Sequence, residues 1–291
     1  MDIINELKKQ VPHGTRPVPL GSAAIGDEAA FISIRGIDLQ GVEIPEFVLG
    51  DHNPGLYELR IESCKLEKIP EPVFQKTALR TLQLDNNDII SVPAEINKLR
   101  YLYLLSLAEN KLVEVDPAIC QLEQLTYLDL RENQLKSIPD CLRECKQLES
   151  LSIGNNPLTI VPPWIGNLIS LERLDISALF QHELPDWLLN LTNLDDLRVD
   201  GNNLTELPDT IAKLKKLTTL SLCHNPIEFI PEVIYKLPQL GELFLNNTQI
   251  RELPTKLLEM ENLNYIEICN SELVDLPQIW KEQQKITIIT K

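Results

Sequence analysis

A leucine or isoleucine returns every 23 residues, without a slip, from Leu56 through Leu79, Leu102, Leu125, Leu148, Leu171, Leu194, Leu217, Leu240 and Leu263 to Ile286. A strict period of that length means that one supersecondary unit is copied along the chain, each copy burying its apolar face only against its neighbours. Ten full repeats and a six-residue remnant fill residues 56–291. Each reads L-x-x-L-x-L-x-x-N-x-L-x-x-L-P, as in Leu125–Pro139.

Counted from the opening leucine, the letters do different physical work. The Leu-x-Leu at positions four to six is a short strand with one buried face, because successive side chains of a strand point to opposite sides. Position nine is Asn in six repeats (Asn87, Asn110, Asn133, Asn156, Asn202, Asn225), where an amide can satisfy backbone groups of its own turn and of the next coil. Cys64, Thr248 and Ser271 can do part of that work and Leu179 cannot, so the sixth repeat is expected to be locally irregular. Proline at position fifteen, as in Pro70, Pro139 and Pro277, fixes its dihedral and suits the first turn of a short helix. Stacked strands make a parallel sheet at about 4.8 Å per coil, and the bulkier returns need more room, so the stack is expected to bend with the sheet inside.

This pattern resembles the leucine-rich repeat family, in the intracellular 23-residue type of Scribble- and Erbin-like scaffolds, Shoc-type Ras pathway scaffolds, plant Ras-group-related repeat proteins and bacterial effectors. The resemblance covers about four fifths of the chain. It implies an α/β repeat fold: a right-handed solenoid with a concave parallel sheet and short helical or 3-10 returns on the convex side. It also implies recognition of another protein on the concave sheet. The recurring letters are packing letters, so they speak for fold more than for function.

Residues 1–55 read as an N-terminal cap and residues 56–291 as the repeat array. Asp2 followed by Ile3, Ile4, Leu7 and Val11 predicts a short amphipathic helix, ended by Pro17, Pro19 and Gly21. Phe31–Ile34 and Val42–Pro45 look like a degenerate repeat, since a terminal coil lacks a neighbour on one face. A docking arm in residues 1–22 is the functional alternative. The N-terminal stretch lacks the apolar core and cleavage site of a signal peptide, and no window nears the ~18 apolar residues of a membrane span. A cytoplasmic location is therefore expected. Cys64, Cys120, Cys141, Cys145, Cys223 and Cys269 are scattered without terminal clusters and read as reduced thiols. Cys141 and Cys145 lie four residues apart with no second Cys or His pair, so they read as small buried side chains rather than metal ligands.

Enzyme chemistry lacks its materials. The chain holds no phosphate-binding glycine loop, no H-E-x-x-H and no G-x-S-x-G, and only 11 glycines. His13, His52, His182 and His224 are far apart along a stack in which sequence distance becomes spatial distance. Cys223 and His224 are neighbours, but adjacent strand residues face different ways, so a solvated pair is expected rather than a dyad. No catalytic residue, cofactor or metal is expected.

Binding remains. Positions two, three, five, seven and eight face or rim the concave side, and across ten repeats they hold fourteen acidic and five basic residues. With a net charge of −16 over the chain, this suits a partner with a basic surface and disfavours nucleic acid. No membrane contact is expected, and the chain is expected to be a monomer. Tyr103, Leu104 and Tyr127 form one aromatic group and Phe244 with Tyr265 another, flanking a charged middle of Asp129, Asp175, Asp196, Arg198 and Asp200. These ten are the candidate partner-binding residues. Cross-strand stacking is the structural alternative for the aromatics, and Trp164 and Trp187 read as staples between returns. The functional readings are an adaptor or scaffold gripping a folded protein, a translocated bacterial effector engaging a host protein, and a self-associating solenoid paired through the Ile286–Thr290 strand.

Overall fold

A computed structural model describes residues 22–25, 31–36, 39–40, 49, 55–179, 182–273 and 275–290. The helix and docking arm expected before Ser22, and the Val42–Pro45 stretch, lie outside them. The described chain divides into two bodies: residues up to Leu148 with Asn156–Ile160, and Glu149–Asn155 with the residues from Val161 on.

In the first body, β1 (Ser22–Ile25) runs antiparallel to β2 (Phe31–Arg35). From there the sheet is parallel through β3 (Glu58–Glu62), β4 (Thr81–Gln83), β6 (Leu104–Ser106) and β8 (Tyr127–Asp129). β5 (Ser91–Val92) and β7 (Glu114–Val115) form a separate parallel pair. The sequence period becomes the register: Leu59, Leu82, Leu105 and Leu128 stand opposite one another on successive strands. All four are fully buried. Burying one leucine contributes about 1.5–3 kcal/mol, so the repeated pair of inward residues is what holds each coil to the next.

The second body repeats this with β9 (Ser150–Ser152), β10 (Arg173–Asp175), β11 (Asp196–Arg198), β12 (Thr219–Ser221), β13 (Glu242–Phe244) and β14 (Tyr265–Glu267). The period does slip once. In β15 (Thr287–Ile289), Ile288 rather than Ile289 stands opposite Ile266. A one-residue shift exchanges the faces of a strand. Here it turns Ile286 inward at 4% exposure and leaves Ile289 at 38%.

The described returns before the last are five-residue 3-10 helices, such as Glu71–Gln75, Ala94–Lys98, Pro117–Gln121 and Asp140–Glu144 in the first body. The proline at position fifteen precedes the helix rather than entering it: Pro70 is extended, and its carbonyl accepts the Val73 N–H at 2.9 Å. The third repeat has Asp116 there instead, whose carboxylate caps the Ala118 N–H at 2.8 Å. In the second body a Cβ on Gly166 would meet the Trp187 carbonyl oxygen and Cβ at 2.7 Å, so only glycine lets these returns approach. The last return is the α-helix α1 (Gln278–Glu282), and its Trp280 is buried with Nε1 donating to the Leu253 carbonyl at 2.9 Å.

The position-nine amides form a buried ladder, with one correction to its direction. Asn133 donates to the carbonyls of Leu107 at 2.9 Å and Leu130 at 3.0 Å, and its Oδ1 accepts the Leu112 N–H at 2.9 Å. Its partners outside its own turn belong to the preceding coil, not the next. Asn87, Asn110 and Asn225 bond in the same sense. The irregularity expected of the sixth repeat does not reach its strand, which keeps register on both sides. Leu179 is buried, and its N–H is taken by Asn202 Oδ1 at 2.9 Å.

The cysteine reading also needs correcting. Cys120 and Cys141, on the consecutive returns Pro117–Gln121 and Asp140–Glu144, are joined as a disulfide with Cα atoms 5.9 Å apart. Neighbouring coils bring residues 21 apart in sequence side by side, a proximity that spacing along one helix does not reveal. Cys64, Cys145 and Cys223 are buried free thiols, and Cys269 is a partly exposed one.

Candidate functional site

The strand face is built by two backbone demands at its rim. Position eight is left-handed in all ten repeats, from Ser63 (φ 56°) to Asn270 (φ 52°), with Glu109, Glu132, Ala178, Gly201 and His224 among them. That bend turns the chain out of the strand, and the N–H of position seven needs a side-chain acceptor in several repeats. Asp85 Oδ1 accepts the Ala108 N–H at 3.0 Å and the Ser106 hydroxyl at 2.5 Å. Asp129 takes the Arg131 N–H at 3.1 Å, and Asp175 the Ser177 N–H at 2.9 Å. Asp200 takes the Cys223 N–H at 2.8 Å and the Ser221 hydroxyl at 2.6 Å. Asn246 does the same for Cys269 at 2.7 Å.

Asp129, Asp175 and Asp200, three of the carboxylates expected to greet a partner, therefore also hold the rim together. Asp129 is only 1% exposed and also faces Arg131 Nη1 at 3.7 Å, so it is a turn-building group rather than an open contact. Asp175 and Asp200 are half-buried. Burial pushes the carboxyls of Asp85 and Asp200 above the usual carboxylate range, against the pull of their serine and backbone donors. Asp196 and Arg198 form an ion pair at 3.4 Å within β11. The signal available in the sequence was the Asp–Ser spacing of 21 residues, seen in Asp85 with Ser106 and Asp200 with Ser221.

The aromatic residues fall into one group in each body. In the first, Leu104 and Tyr127 are register partners on β6 and β8, both half-buried, with Tyr103 beside them at 45% exposure. Tyr57 at 46% and Tyr101 at 65% join this side and were not singled out from the sequence. Tyr57 shares position two with Tyr103, whereas Tyr101, the last residue of its repeat, was not counted with the face. In the second body the rings of Phe244 and Tyr265 tilt together at 5.5 Å between centroids. The Tyr265 hydroxyl donates to Glu267 at 3.0 Å, which raises the phenol above its ordinary range.

Cys223 and His224 do not form a dyad. Cys223 is buried, and desolvation pushes its thiol up, away from the thiolate that a nucleophile needs. The His224 ring lies 3.2 Å from the Asn247 amide on the next coil. Among the described residues no three His, Cys, Asp or Glu side chains gather as a metal would require, and no helix is long and apolar enough to cross a membrane.

The comparisons with known proteins agree with this geometry. A family model described as leucine rich repeat matches residues 100–158 and 192–250. A leucine-rich repeat protein of Leptospira interrogans is 32% identical, over 84% of this chain and 68% of its own, with a TM-score of 0.65. The functional domain of InlJ from Listeria monocytogenes, which includes a cysteine ladder, is 21% identical over 90% of this chain and 53% of its own, with a TM-score of 0.63. The plant peptide hormone receptor RGFR1, solved in complex with RGF2, is 24% identical over 82% of this chain and 48% of its own, with a TM-score of 0.58. The chain thus spans about half the length of the last two. No curated protein matches it.

Proposed function

The chain belongs to the leucine-rich repeat family, and from that premise we propose that it is a non-catalytic protein–protein interaction module, an adaptor or scaffold that grips a folded protein on the strand face of its repeats. The observation that carries this reading is the gathering of Tyr103, Leu104 and Tyr127 on neighbouring coils whose backbone is already committed to the sheet. Aromatic side chains on rigid strands offer large contact area at small ordering cost, which is why they dominate interface energetics. The complex of RGFR1 with RGF2 is a precedent for recognition on this fold.

In the second body, Glu172 is exposed and Asp195 and Asp196 are half-buried, so this face suits a partner with a basic surface. Neither nucleic acid nor a membrane is proposed as a partner, and the chain is proposed to act as a monomer. The cytoplasm is the location proposed from the sequence. Against it stands the Cys120–Cys141 bond, since disulfides persist in oxidising compartments. Alkylating thiols in intact cells before lysis decides: a pair that stays unblocked and oxidised places the chain outside a reducing cytosol.

Once a partner is captured, Tyr127→Ala and Phe244→Ala are each expected to weaken it by about tenfold or more with little change in melting temperature. Charge reversal at Asp196 is expected mainly to slow association and flatten its salt dependence. Surface plasmon resonance at low and high salt reads both. Unchanged affinity in all three variants sinks the strand-face assignment.

A further inference from the structure

Position two of the first three repeats holds Tyr57, Arg80 and Tyr103. Backbone bonds join them coil to coil, from the Arg80 N–H to the Tyr57 carbonyl at 2.8 Å and from the Tyr103 N–H to the Arg80 carbonyl at 2.9 Å. Coils so joined lie about 4.8 Å apart, so the row spans about 10 Å and sets one guanidinium between two phenols. Tyr101 adds a third exposed ring on the other side of the buried Leu102. Beside it Arg100 is exposed and shares a surface hollow with Glu123 of the next coil.

Arg80 is exposed, and its side chain has neither an ion pair nor a hydrogen bond among the described residues. In a chain of 43 acidic and 27 basic residues, a guanidinium without a carboxylate needs a reason. The coils on either side offer tyrosines at its own position, and the nearby carboxylate of Glu58 is held by Arg60 at 2.5 Å. In the second body the same position is Glu149, Glu172 and Asp195, which would repel what Arg80 attracts.

From this arrangement we propose that the edge of the first body where its strands begin is a docking site for an acidic, extended peptide segment of a protein partner. An Asp or Glu of the segment forms a paired hydrogen bond with the Arg80 guanidinium. Its apolar side chains lie on the faces of Tyr57, Tyr101 and Tyr103. About three residues of extended chain cover the row, at about 3.3 Å each. The inference rests on the protein-binding reading above and adds to it one edge of the first body that takes charge of the opposite sign to that suited by the acidic second-body face.

A display library of random dodecapeptides tests it on the full chain. Peptides retained by the wild type but released by Arg80→Ala are expected to be enriched in Asp and Glu. A representative peptide is expected to lose about tenfold or more in affinity with Arg80→Ala and with Tyr103→Ala, and to keep its affinity with a change at the exposed Phe229, Phe229→Ala. Circular dichroism confirms the fold, and Arg80→Gln replaces Arg80→Ala if the latter unfolds. An absence of enrichment, enrichment of basic or uncharged peptides, or retention by Arg80→Ala overturns the proposal. So does Arg80-dependent binding of oligothymidine or phosphatidylserine vesicles. A partner captured through Tyr127 with no dependence on Arg80 overturns this inference and leaves the broader reading standing. A partner indifferent to both overturns the broader one.

Discussion

At the scale of the residue, the same letter does opposite work within a single coil. Asp196 pairs with Arg198 in solvent, while Asp200 accepts a hydroxyl and a backbone N–H at the rim. Removing the acceptor altogether, as in Asp200→Ala, leaves the Cys223 N–H without a partner and is expected to lower stability by about 1–3 kcal/mol. Asp200→Asn keeps an acceptor oxygen and removes the charge that burial disfavours. The sign of its pH dependence follows from the raised carboxyl. The folded state holds that proton more tightly than the unfolded chain, so protonation favours folding. The contribution is complete below the unfolded carboxyl's range and lost as pH rises through the folded value. Asp200→Asn is therefore expected to melt at or above the wild type at neutral pH, with the gap closing on acidification. Thermal melts across pH check this, and a gap that widens in acid refutes it.

At the scale of the element, the strands and returns were legible because each is written by side chains that must be buried: Leu105 and Leu128 inward on their strands, Ile96 and Ile119 under their returns. The left-handed turn at position eight was not, because ten different coils meet that backbone requirement with residues as unlike as Glu132, Ala178 and His224. Of the candidate site, the aromatic groups could be read from position alone. The role of Asp129 could not, since a carboxylate bonding a backbone N–H two residues on looks like any surface acid. Tyr57 and Arg80 acquire meaning only when three coils are laid side by side. The disulfide between two returns belongs to this scale too. Closing a loop of 21 residues restricts the unfolded chain, so reduction is expected to lower the unfolding free energy by about 2–4 kcal/mol. Denaturant melts with and without reductant measure it. Cys141→Ser should match the reduced protein and respond no further, and a reductant-insensitive wild type would contradict the linkage.

At the scale of the whole molecule, a stack of repeats distributes its stability among neighbouring pairs. The amide ladder gives that distribution a direction within each body. Because Asn133 saturates the Leu112 N–H and the Leu107 carbonyl of the coil before it, the third repeat depends on the fourth. The fourth depends in the same way on Asn156, through the Leu135 N–H and the Leu130 carbonyl. Asn133→Leu is expected to cost about 1–3 kcal/mol, with most of the disturbance felt upstream. Hydrogen exchange should accelerate at Leu112 while Leu135 stays protected, and equal acceleration at both would count against it. Damage at such an asparagine travels toward the N-terminus: the coil before it is finished by the one that follows it in the chain, so a growing polypeptide completes that turn only after the next has been made.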